Sequence, residues 1–278
     1  MKKSIGQAER DLMAPDSKIG LLVTRDDDGY PHITLMTSLQ ALGTNQVTFG
    51  RFSRGLSKKM IVKRPDIGFL VLNTDMRYLT GGAHFTHTAN TGEVFDEYNN
   101  KPLFRYNSYM GFDQVYFMKL KAISEIQKLQ TGRIAVSALR TRLAAVGLAK
   151  KGKKKLGHVA LSLLSPMDSL KFIAWFDEND NPRILPIVQA APAGTERVVF
   201  SLSPGGKELA EIPEEEPVAV FCVNLKMQSV LMKGTFEGVE GFPKVGVFDV
   251  DKVYNPMPPK AGYVYPRAKK PKAVTEWE

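Results

Sequence analysis

The chain has 278 residues, is 43% hydrophobic and carries a formal net charge of +9 at pH 7. That length can bury the core of one large or two ordinary domains, and no run approaches the roughly 20 apolar residues that a membrane span needs. The opening MKKSIGQAER has no apolar run after its basic start, and the single cysteine, Cys222, cannot close a disulfide within the chain. These features predict a cytoplasmic protein without a membrane partner. The positive charge is uneven: residues 1–150 hold 21 Lys+Arg against 13 Asp+Glu, residues 156–259 hold 8 against 14, and the rest sits in the lysine run 150–155 and a basic tail. No ribonucleoprotein-type aromatic motif, zinc knuckle or helix-turn-helix accompanies it, so no nucleic-acid partner is expected. A small anion is the better match.

Taken in chain order, the elements come twice. A short helix at 4–13 precedes a strand at 19–24, a turn at RDDDGYPHI (25–33), and a second strand at 32–36. A turn at Gly43 leads to a third strand at 46–50 and a short helical segment at 56–63. A fourth strand ends at Asn73, a fifth covers 79–86, and a last one runs over 115–123. Shifted by 151 residues, the same order recurs. Pro15 falls on Pro166, Asp26 on Asp177, Pro31 on Pro182, Gly43-Thr44 on Gly194-Thr195, Asn73 on Asn224, Met76 on Met227 and Phe85 on Phe236. The second copy therefore has a helix at 156–164 and strands at 170–175, 183–187, 197–201, 218–224, 230–236 and 245–253.

Short β-rich runs joined by turns predict an antiparallel sheet that closes into a barrel. The expected fold is mainly β: two tandem split β-barrels with short helices, forming an intrachain pseudo-dimer. The expected domains are 1–123 (copy 1), 124–155 (a helical connector with apolar residues at helical spacing, then the lysine-rich linker), 156–259 (copy 2) and 260–278 (a basic tail).

Three consecutive aspartates at 26–28 raise the question of a metal. The equivalent stretch DEN (177–179) loses the third carboxylate, while both copies keep acid, a residue tolerant of left-handed backbone, and a strand-opening proline. Those are hairpin requirements, so a turn is expected. His84 and His87 lie three apart on a predicted strand and so on opposite faces, and no metal site is expected. The segment 90–111, rich in aromatic and polar residues, is longer than its counterpart after Glu240; it reads as an ordered surface loop or as a lid over a ligand.

The strand, hairpin and strand, the VTFG strand (47–50), the Ser/Arg/Lys-rich turn and the RPDIGFL segment (64–70) resemble the flavin-binding split barrels of the pyridoxamine 5′-phosphate oxidase-like superfamily. The likeness covers most of 5–123 and, more faintly, 156–254. It implies flavin mononucleotide (FMN) as cofactor, with its phosphate near the turn and helix after the third strand. A single axial histidine for haem is the minority alternative, since some split barrels bind it.

Here that turn reads GRFSRGLSKK (50–59). Arg51, Arg54, Lys58 and Lys59 supply positive charge, Ser53 and Ser57 supply hydroxyls, and a helix amino end suits an anion. A solvated basic turn is the bland alternative. Thr34 and Met36 on the second strand are the expected contacts for the flavin ring, and Trp175 reads as core rather than as a lid. In the second copy Leu202, Gly205 and Leu209 replace Arg51, Arg54 and Lys58; Lys207 and Ser203 remain beside several glutamates. One good FMN site per chain is therefore expected.

The function implied is an FMN-dependent oxidoreductase acting on a small-molecule substrate or electron donor, with a non-catalytic flavin or haem carrier or sensor as the alternative. A monomer acting as a pseudo-dimer, or a dimer of such chains, is expected.

Overall fold

The computed structural model describes residues 1–51, 55–101, 111–150, 152–203, 206–257 and 261–266. Two compact units divide the chain. The first contains Met1–Asp27, Thr34–Leu129 and Glu178–Arg183; the second contains Asp28–Ile33, Gln130–Asp177 and Ile184–Glu278. The connector beyond residue 129 thus belongs to the second unit, and the tip of each copy's first hairpin is counted with the other copy's unit.

In the first copy the strands are β1 (Lys18–Arg25), β2 (Pro31–Leu35), β3 (Gln40–Leu42), β4 (Gln46–Arg51), β5 (Asp66–Asn73), β6 (Arg77–Ala89), β7 (Gln114–Ile123) and β8 (Gln127–Lys128). They form one antiparallel sheet in the order β2-β1-β5-β6-β7-β4-β3, with β8 added to β6. The second copy supplies β9 (Leu170–Phe176), β10 (Pro182–Pro186), β11 (Ala191–Ala193), β12 (Arg197–Phe200), β13 (Pro217–Val223), β14 (Ser229–Glu240), β15 (Val245–Asn255) and β16 (Gly262–Tyr265). Its order is β10-β9-β13-β14-β15-β12-β11, the same as the first, with β16 on β15.

Period-two alternation fills each interior. Ile67, Phe69 and Val71 of β5, Val47 and Phe49 of β4, and Tyr116, Met118 and Leu120 of β7 meet in one buried cluster with Leu22, Leu79 and Met36. Ile173 and Trp175 of β9, Val218, Val220 and Cys222 of β13, and Phe248 and Val250 of β15 do the same in the second unit. Trp175 is therefore core, as its sequence position suggested, and burial pushes the Cys222 thiol up to about 12. Each fully buried large apolar side chain of this kind stabilises by about 1.5–3 kcal/mol.

The backbone repeats as faithfully as the strand order. Left-handed positions recur at the 151-residue offset: Gly29 and Asp180, Gly43 and Gly194, Met76 and Met227. The side-chain oxygen of Asn73 accepts from the N–H groups of Asp75 and Arg77, and that of Asn224 from Lys226 and Gln228. Even the irregularities match. Breaks in register fall at Gly82/Ala83 and Phe85/His87 in β6, and at Lys233/Gly234 and Phe236/Gly238 in β14.

Five helices among the described residues have no sheet role of their own but fix the barrels: α1 (Gln7–Met13), α2 (Leu56–Lys63), α3 (Glu93–Asn100), α4 (Thr131–Gly147) and α5 (His158–Leu164); a one-turn helix, α6 (Gly206–Ala210), follows β12. α2 has the bounds the sequence predicts. It stops where Pro65 forces Arg64 into extended backbone, at φ −133° and ψ 92°. The segment read as a loop over 90–111 begins with α3, pinned by the buried Tyr98 hydroxyl, which bonds the Ser38 carbonyl at 3.0 Å and pairs with the Thr48 hydroxyl at 2.9 Å. Residues 102–110, the rest of the segment read as a loop or a lid, lie outside the described residues.

Candidate functional site

The three aspartates of the first hairpin do not converge. Asp26 is buried, Asp27 pairs with Lys63 at 3.0 Å, and Asp28 pairs with Lys252 at 2.7 Å. Gly29, at φ 88°, turns the chain between them. His84 Nδ1 donates to Asp66 at 2.8 Å, and His87 stacks on Phe117 with ring centroids 4.5 Å apart. Among the described residues no group of three or more metal-ligating side chains exists.

The basic turn after β4 is different. Gly55 caps α2 with extended backbone at φ −100° and has no side chain to offer its first N–H groups, and the first turn holds no acid. The amino end of α2 therefore presents N–H donors that its cap residue does not bind, together with the positive end of the helix dipole. Lys58 folds back over this end: a Cβ placed on Gly55 would come within 3.8 Å of its Nζ. Its ammonium is pushed down to about 8, first by burial and then by the nearby Arg51 charge. No carboxylate pairs with Lys58 among the described residues.

Arg51, at the end of β4, has partners that fix it. Its Nε donates to Asp113 at 2.8 Å, a second guanidinium nitrogen reaches the other oxygen of Asp113, and Nη1 lies 3.4 Å from the Tyr116 hydroxyl. The Asp113 bonds hold the guanidinium proton more firmly than usual. Asp113 and Tyr116 are 62 and 65 residues from Arg51. Sequence reasoning missed both, because only the β4–β7 pairing brings them together.

Ser57 is buried on α2, and its hydroxyl makes a short contact with that of Thr34 on β2. These two predicted residues are thus brought together beside the turn. Lys59 is exposed one position on, away from the buried face of the helix. Met36 is buried in the barrel core with Val47 and Phe49. Ser53 and Arg54 lie outside the described residues.

The same place in the second unit has lost this chemistry. Thr34, Ser57 and Lys58 correspond to Leu185, Glu208 and Leu209, and Arg51 corresponds to Leu202. Leu185 and Leu209 are buried in the barrel core, and Leu202 packs against it. Lys207, the remaining cation, is exposed on α6. An apolar plug fills the site that is cationic in the first unit.

No protein-family model matches the sequence, nor does any curated protein. Several solved structures are similar to part of it. An FMN-binding protein from Syntrophomonas wolfei is 19% identical, with 44% of this chain and 84% of that one covered and a TM-score of 0.37. A Clostridium acetobutylicum protein of the pyridoxinephosphate oxidase family, related to general stress protein 26, is 14% identical over 44% of this chain and 86% of its own, at a TM-score of 0.35. An F420 reductase is 19% identical over 41% and 94%, at 0.32.

Proposed function

We propose that the first unit binds FMN by its phosphate at the amino end of α2, and that the protein is an FMN-dependent oxidoreductase with one such site per chain. The observation that carries this reading is Lys58. Its half-buried side chain lies at the positive end of a helix and close to Arg51, burial holds its ammonium below the usual lysine range, and it has no carboxylate partner among the described residues. Such a charge is unfavourable alone and favourable beside a dianion. The residues present fit a phosphate: Lys58 and Arg51 supply charge, the α2 N–H groups supply donors, and the Thr34–Ser57 hydroxyl pair adds polar atoms at the edge of the turn.

The choice of FMN among phosphate-bearing cofactors rests on the sequence resemblance to the flavin-binding split barrels. A bound flavin supplies the redox chemistry, whereas the chain's residues hold the phosphate and exclude water around it. Asp113 and Tyr116 keep the Arg51 guanidinium oriented, so little order has to be created when an anion arrives.

Titrating the protein with FMN and with riboflavin tests the reading. FMN should bind at one equivalent per chain, much more tightly than riboflavin, and a small-molecule electron donor should bleach the flavin band near ~450 nm. Two equivalents per chain, or equal affinity for both flavins, would overturn the phosphate assignment. A bound flavin that no donor reduces would leave a carrier in place of the enzyme.

A further inference from the structure

We infer that α4, together with the β14–β15 turn, docks the protein on an anionic lipid bilayer. α4 is built inside out for a helix lying on a sheet. Its inner face is made of Ser137, Ala138, Thr141, Ala144 and Ala145 with Ile134, and α4 packs on β11 and β12. Small residues there bring the helix close to the sheet, and the Thr141 hydroxyl accepts from the Ser201 N–H at 2.9 Å. The large aliphatic residues face water instead. Val136 is 56% exposed, Leu139 62%, Leu143 60% and Val146 80%.

At spacings of three and four these side chains make one stripe along the whole helix. Phe242, at the tip of the β14–β15 turn, is 97% exposed. That turn adjoins the carboxyl end of the helix, because a Cβ on Gly241 would meet the Leu148 side chain at 3.0 Å. An exposed apolar stripe, with an exposed aromatic on the turn beside the helix end, marks an interaction surface rather than a scattering of exposed residues.

Charge identifies the occupant. Residues 131–155 contain eight Lys+Arg and no Asp or Glu; of these, Lys150 pairs with Asp249, and Lys155 with Glu196 and Asp251. Arg133, Arg140 and Arg142 are exposed on α4, and none pairs with a carboxylate among the described residues. On the turn, Lys244 stands exposed two residues beyond Phe242, and Glu240, two residues before it, lies 3.8 Å from the Arg197 guanidinium. A second copy presenting the same face would set these cations against their own kind, which disfavours a symmetric dimer. An anionic bilayer suits both features at once: a basic amphipathic helix lies in the headgroup plane, with aliphatic and aromatic side chains reaching the acyl boundary.

The test is co-sedimentation of the full chain with phosphatidylglycerol vesicles and with phosphatidylcholine vesicles. Binding to the anionic vesicles should exceed binding to the neutral ones at least ~10-fold and fall steeply between about 0.1 and 0.5 M salt. Leu139→Ser with Leu143→Ser should lower it about tenfold or more. Phe242→Ser should weaken it independently. All three positions are exposed, so circular dichroism and the melting temperature should not change. Equal binding to both vesicle types overturns the inference, as does binding that survives these variants. Concentration-dependent self-association that the same variants abolish would assign the ridge to a second copy instead. Failure to bind any vesicle while an acidic protein is captured would assign it to a protein partner; either result overturns the bilayer.

Discussion

Lys58 and Arg51 bring two positive charges to the amino end of α2, and of the two only Arg51 has a carboxylate partner among the described residues. Asp113 orients one cation and leaves the other without a carboxylate. Replacing Lys58 by methionine should therefore cost FMN affinity about tenfold to a hundredfold, the worth of one charge-assisted contact. Riboflavin affinity should stay as it is. Isothermal titration with both flavins checks this, and parallel losses for the two would count against a phosphate contact.

The lowered Lys58 pKa makes the affinity depend on pH. In the free protein the amine titrates at about 8, and a bound phosphate raises that value. Affinity is then full below about pH 8 and falls as pH rises past it, by up to about tenfold per unit, until the pKa of the complex is reached. Lys58→Arg, which stays charged, should flatten the profile. A wild-type profile that is flat from pH 7 to about 9.5 would remove Lys58 from the site.

The same group has the opposite sign in stability. Its folded-state pKa lies below the unfolded value of 10.5, so the charged form is disfavoured in the fold. That penalty acts in full below about pH 8 and fades as pH rises toward 10.5. Without ligand, Lys58→Met should melt a few degrees above wild type at pH 7, and the gap should close by about pH 10.5. Differential scanning calorimetry at both pH values reads it.

Asp113→Asn should loosen Arg51 while leaving the barrel intact, because the pair is partly exposed. FMN binding should weaken about three- to tenfold, mainly through the off-rate, since an oriented guanidinium is lost rather than its charge. Stopped-flow release of FMN measures this. An unchanged rate would make Arg51 a structural residue of the turn.

Tyr98→Phe removes a buried hydroxyl that serves both Ser38 and Thr48. The expected loss is about 1–2 kcal/mol in urea unfolding, because the Thr48 hydroxyl and the Ser38 carbonyl lose a partner inside the protein. A neutral result would mean that α3 is held by its apolar contacts alone.

Much of the fold was legible because turn chemistry is local. Gly43 and Gly194, Asn73 and Asn224, and the hairpin pair Gly29 and Asp180 each meet a backbone requirement within a few residues, so their spacing survived where identity did not. The three-residue strands β3 and β11 left no period to read, and α3 is too short to separate from a loop on sequence grounds. The site was legible as composition: the cations of 51–59 are visible in the sequence. Which cation is neutralised was not, since Asp113 reaches Arg51 only through strand pairing. Nor did helical spacing reveal which face of α4 is buried. Periodicity places Val136, Leu139, Leu143 and Val146 on one side, but the small residues opposite them take the sheet.

Two barrels of identical strand order within one chain face a hazard during folding, because a strand of one copy could pair in the place of its twin. The close approach at Gly20 guards against one such exchange. A Cβ there would lie 2.3 Å from the Met36 carbonyl oxygen, and the twin position in β9 is Lys171. Strand β9 would bring a side chain to that contact, so the backbone around Met36 would have to shift to admit it. Divergence between the copies has removed more than a binding site: it has made their parts non-interchangeable, which keeps a duplicated chain from tangling with itself.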